Sequence, residues 1–143
     1  MDTRGIVGQI ARIREQANLL IERELRERSI TGIVPAHGSV LAFLFQQSEP
    51  VPIKMIVEEV RRAKSTVTVM VNTLERHGYV RKLPSEFDNR VTCVELTPKG
   101  RRFRKDFDDI SKVLLERLYG DMNVKDRERL VRQLEQIEQN LRK

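Results

Sequence analysis

Lys64-Ser-Thr-Val-Thr-Val-Met-Val-Asn-Thr-Leu-Glu-Arg-His-Gly-Tyr-Val80 is the stretch whose reading decides the fold. Wound at about 100° per residue, it places Val67, Met70, Val71 and Leu74 on one side. Ser65, Val69, Asn72, Thr73 and Arg76 fall on the other, with Lys64, Thr66 and Thr68 on the flanks. The pattern predicts a helix over 64–77 that packs through its apolar side, with Gly78 as the C′ residue that ends it. Its outward face is short-chained and polar, and Glu75 is its one carboxylate. An ordinary surface helix more often carries Glu–Lys pairs. A helix entering a major groove needs small hydroxyls and amides for base edges and few acids near phosphate. An outward Val69 suits a thymine methyl.

Upstream, Pro52 opens a helix with Ile53, Ile56, Val57 and Val60 on one face, and Arg61-Arg62-Ala63 turns it into the 64–77 helix. Downstream the apolar period shortens towards two. Tyr79–Leu83 and Val91–Leu96 read as strands joined by the polar Pro84–Arg90, forming a hairpin or wing over 81–96. Thr97-Pro98 caps and starts a helix carrying Phe103, Phe107, Ile110, Val113, Leu114 and Leu118, which stops at Gly120. A last helix begins near Asn123, with Asp126 three residues on. Residues 35–47 form a helix apolar nearly all round and therefore buried, and about 4–28 form an amphipathic first helix.

The first and last helices carry narrow stripes, Ile6, Ile10, Ile13, Ala17, Leu20 and Leu130, Leu134, Ile137, Leu141, in heptad-like spacing. Such stripes at both termini of a chain poor in aromatics point to a joint dimerisation layer. The expected fold is mostly α, an α+β winged helix of six helices with a two- to three-stranded β-wing. One domain spans 1–143, with dimerisation helices in 1–34 and 106–143 and a DNA-binding lobe in 35–105.

Charge supports this division. The net charge is +6, and 51–105 alone holds 13 Lys and Arg against 6 Asp and Glu, so the basic excess is local. A confined basic patch is the footprint of a phosphate-backbone partner, because neutralising phosphates releases counterions. Lys54, Arg61, Arg62, Arg81 and Lys82 surround the 64–77 helix as phosphate contacts. Arg90 at the wing tip is placed for an adjacent minor groove, and Asp88 for pairing with a nearby arginine. The single cysteine, Cys93, rules out an internal disulfide framework. Two separated histidines, with no glycine-rich phosphate loop and no nucleophile motif, predict no metal, no cofactor and no catalysis. Arg4, Arg12 and Arg14 interrupt any signal-like run and no apolar stretch spans a bilayer, so a cytoplasmic protein without a membrane partner is expected.

The 64–80 stretch, then Asp88-Asn-Arg90, then Leu96-Thr-Pro-Lys-Gly100, resembles the MarR (multiple-antibiotic-resistance regulator) family in order and spacing. Pro35-Ala-His-Gly-Ser-Val-Leu41 resembles a subset of that family. The resemblance implies a homodimeric transcription regulator, acting chiefly as a repressor, that binds a pseudo-palindromic operator in double-stranded DNA. It puts Ser65, Thr66, Thr68, Val69 and Asn72 on the recognition helix, and Asp88 and Arg90 on the wing motif. It also implies a small-molecule effector bound between dimer layer and DNA lobe, near which His37 falls. Pro52 and Ala63 depart from the pattern, where Thr or Ser, and a capping Ser or Asp, are usual. The competing reading is a winged-helix protein-interaction module whose basic face is incidental.

Overall fold

A computed structural model describes residues 1–142. Helix α1 runs from Ile6 to Glu27, a single 3-10 turn occupies Pro35–His37, and α2 spans Gly38–Phe45. The two-residue strand β1 (Val51–Pro52) leads into α3 (Ile53–Val60) and α4 (Lys64–Arg76). Strands β2 (Val80–Pro84) and β3 (Thr92–Leu96) precede α5 (Pro98–Arg102), α6 (Arg104–Tyr119) and α7 (Val124–Leu141).

Helices α5 and α6 form one rod interrupted at Phe103, whose φ of −66° and ψ of −20° keep it right-handed. Counted as one, they give the six helices expected. The Phe103 N–H reaches the carbonyls of both Lys99 and Gly100 at 3.2 Å, a bifurcated bond that tightens the turn. The gain is packing: the Phe103 ring lies edge-on to Tyr79 at 5.8 Å and to Phe107 at 6.3 Å. Where a helix was expected over 35–47, the first turn is 3-10 and the α-helix proper is 38–45.

Local signals act as the residue types dictate. Thr97 Oγ1 accepts from the Gly100 N–H at 3.1 Å, and Asn123 Oδ1 accepts from the Asp126 N–H at 2.9 Å, so both helices start on side-chain caps. Gly78, with φ of +82°, follows α4 as its C′ residue.

The sheet is antiparallel in the order β1-β3-β2, with Val51 opposite Val94, Arg81 opposite Glu95 and Lys82 opposite Val94. Pro52 donates no ladder bond, which an edge position tolerates, and it doubles as the residue before α3. The core forms where α2, α3 and α4 meet this sheet. Leu41, Ile56, Leu74, Val40, Val67, Val71, Val80 and Val94 are fully buried there, and Leu25, Phe103 and Ile110 extend the cluster to the base of α1 and α6. Cys93 is a buried free thiol of β3.

The outer helices differ. α7 buries no side chain, and Val131, Leu134 and Leu141 stay exposed with Ile6, Ile10 and Ile13 of α1. No described helix is long and apolar enough to cross a membrane.

Candidate nucleic-acid interface

Helix α4 sits with Val67, Met70, Val71 and Leu74 in the core, so rotation about its axis is fixed. Lys64, Ser65, Val69, Asn72 and Arg76 are thereby exposed on one face, and Thr66, Thr68 and Thr73 are half-buried beside them. Val69 is 64% exposed in the middle of this face, so its methyl groups are open to a partner. Arg76 Nη2 donates to Thr73 Oγ1 at 3.2 Å, and Thr73 Oγ1 donates in turn to the Val69 carbonyl at 3.0 Å. Ala63 offers α4 no side-chain cap, and Pro52 offers none to α3, so the two departures noted in the sequence leave first-turn amides of both helices without a side-chain partner.

Arg61 ends α3 in the left-handed region, φ 55° and ψ 44°, its N–H donating to the Val57 carbonyl at 3.0 Å. This bend makes the tight turn into α4 and leaves Arg61 and Arg62 exposed at the corner, with Lys54 exposed on α3.

Wing residues are fixed by one another. Asp88 Oδ1 accepts from the Arg90 backbone N–H and from Arg90 Nε, each at 3.0 Å, and Asp88 Oδ2 accepts from Arg90 Nη2 at 3.1 Å. The side-chain bond to Arg90, then the backbone one, hold the Asp88 carboxyl below the usual carboxylate range. Arg90 itself remains 89% exposed at the tip. Beside it Phe87 is 96% exposed, a feature that the polar reading of the hairpin tip passed over. Arg81 forms a cross-strand ion pair with Glu95, so its charge is engaged within the wing.

Lys82, on the other face of β2, turns towards α4. Its Nζ donates to Asn72 Oδ1 at 2.7 Å and lies 3.4 Å from Glu75 Oε1, while Glu75 Oε2 accepts the Lys82 backbone N–H at 3.2 Å. The one carboxylate of the recognition face is thus neutralised by the wing. No periodicity along the chain links residues 72, 75 and 82, which meet only because β2 folds back on α4.

His37 lies apart from this surface. It is buried, and its Nδ1 accepts from the Val34 N–H at 3.1 Å. Burial, then the nearby charge of His77, push its pKa below 6.5 and favour the neutral ring. Flanking residues Val34, Pro35 and Gly38 line an apolar cavity of about 170 Å³ between α1, α2 and α6, closed by Leu25, Phe103 and Phe107. Among the described residues no cluster of His, Cys, Asp and Glu could hold a metal.

A basic helix α4 with a wing hairpin, set on a layer of long helices, has the architecture of a winged helix. Residues 35–92 match the model of the MarR family. No curated protein sequence matches the chain significantly. The fold is similar over nearly the whole chain to that of MepR from S. aureus in its DNA complex, with a TM-score of 0.80 at 18% identity, covering 98% of this chain and 99% of that one. BldR from Sulfolobus solfataricus superposes with a TM-score of 0.74 at 23% identity, over 98% of this chain and 99% of that one. CouR from Rhodococcus jostii RHA1, bound to p-coumaroyl-CoA, gives 0.76 at 20% identity, over 94% and 92%.

Proposed function

We propose that the protein is a cytoplasmic homodimeric repressor that reads a pseudo-palindromic operator, with α4 in the major groove and the wing at the adjacent minor groove. The observation that carries this reading is the α4 face. Ser65, Val69 and Asn72 are exposed together, flanked by Lys64 and Arg76, and the only acid there is held by Lys82. Such a face offers donors, acceptors and a methyl-sized contact to base edges. Arg61, Arg62 and Lys54 contact phosphates around it, and the Arg90 guanidinium, oriented by Asp88, enters the minor groove.

Dimerisation is supported by the apolar residues that α1 and α7 leave exposed, for which a second copy is the natural cover. The DNA complex of MepR and the p-coumaroyl-CoA complex of CouR favour, by analogy of fold, a DNA partner and a small-molecule effector. The apolar cavity beside the 3-10 turn suits the effector, and His37 shapes that wall from within.

Titrating binding to duplex DNA over a range of salt tests the reading. A steep negative slope of log affinity against log salt is expected, flattening by about one unit on removal of one phosphate-contacting Lys or Arg. No binding to any duplex at low salt would favour a protein-interaction module instead.

A further inference from the structure

Lys82 does more than supply charge. An ammonium can only donate hydrogen bonds, so the Asn72 atom 2.7 Å from Lys82 Nζ has to be the carbonyl oxygen. The Asn72 NH₂ is thereby turned away from Lys82. Glu75 holds Lys82 from two sides, through the ammonium at 3.4 Å and the backbone N–H at 3.2 Å, and offsets its charge. Lys82 is therefore poorly suited to serve as a free phosphate contact, and Asn72 reaches the groove with its NH₂ leading and its oxygen, one of two lone pairs taken, directed at the wing.

An asparagine that reads adenine uses both ends of its amide, the oxygen accepting from N6 and the nitrogen donating to N7. An amide whose oxygen is directed at the wing leaves the N6 hydrogens of adenine unanswered. Guanine presents two adjacent acceptors, N7 and O6, and matches it. We infer that Lys82 is a positioning residue that holds the Asn72 oxygen towards the wing and its NH₂ towards the groove, selecting guanine over adenine at the base facing it. The inference rests on the DNA-binding reading above.

Selection from a randomised duplex pool tests it, using the wild type, Asn72→Ala and Lys82→Met, which keeps the aliphatic stem without a donor. Asn72→Ala marks the base position concerned, where its preference disappears. At that position the wild type is expected to favour guanine over adenine by roughly tenfold, and Lys82→Met to shift the preference to adenine. Adenine enriched by the wild type overturns the inference. So does a Lys82→Met protein that binds all sequences more weakly without changing preference. In the free protein, an Asn72 side-chain amide NMR signal that does not respond to Lys82→Met counts against the contact itself. Failure of the wild type to bind any duplex would instead remove the DNA reading, and this inference with it.

Discussion

Gly32 packs directly against the side chain of His77: a Cβ placed on Gly32 would collide with the ring Cγ, and the residue has φ of +86°. The contact pins the α1–α2 connection to the end of the reading helix. Two bonds reinforce it, Tyr79 Oη donating to the Thr31 carbonyl at 2.8 Å and Lys99 Nζ donating to the His77 carbonyl at 2.7 Å. Gly32→Ala is expected to cost about 2–4 kcal/mol, from a left-handed backbone and a forced clash together. Urea denaturation measures it; a loss below about 0.5 kcal/mol would mean that the ring swings aside freely.

Arg90→Ala should weaken operator binding by roughly tenfold or more while leaving the melting temperature within about a degree, because the side chain stands in solvent. Asp88→Ala keeps the arginine but removes the carboxylate that orients it, and should also weaken binding. Full affinity in Asp88→Ala would show that the Asp88–Arg90 pair has no part in presenting the guanidinium.

Buried His37 has a pKa depressed below 6.5, so the unfolded chain takes up the proton first as the pH falls. Its contribution is fully present above about pH 6.5 and is lost as the pH drops towards the folded value. The urea midpoint should fall between about pH 7.5 and pH 5.5, and His37→Gln should show a smaller fall. An equal fall in both proteins would assign the effect to other groups.

Ile10→Asp and Leu134→Asp each put a charge into an apolar stripe that is exposed in the single chain, at 40% and 43% respectively. Sedimentation should show wild-type dimers at micromolar concentration and a dimer dissociation constant raised roughly a hundredfold in either variant. A monomeric wild type would leave the stripes without their proposed cover.

Much of this was legible in the chain because the signals are local. The caps at Thr97 and Asn123, the stop at Gly78 and the four buried positions of α4 depend on residues within a turn or two of one another. Strand β1 carries no such signal, since two residues show no period, and it exists only by pairing with Val94 and Cys93. The Phe103 ring at the interruption likewise packs on Tyr79, a partner far from it in sequence that no local pattern names. In the interface, residue types and faces were readable, but pairings across folded elements were not. Arg81 and Lys82 look alike as adjacent cations, yet strand alternation sends one to Glu95 and the other to Asn72 and Glu75.

Strand β1 is small, but it fastens the connection between α2 and α3 to the back of the wing through β3, so helix pair and hairpin share one frame. A graft of residues 35–105 onto the helical base of another such regulator should therefore carry its base preference intact. The tolerated distance between half-sites should follow the recipient. Vocabulary and spacing would then be separately exchangeable parts of one recognition code.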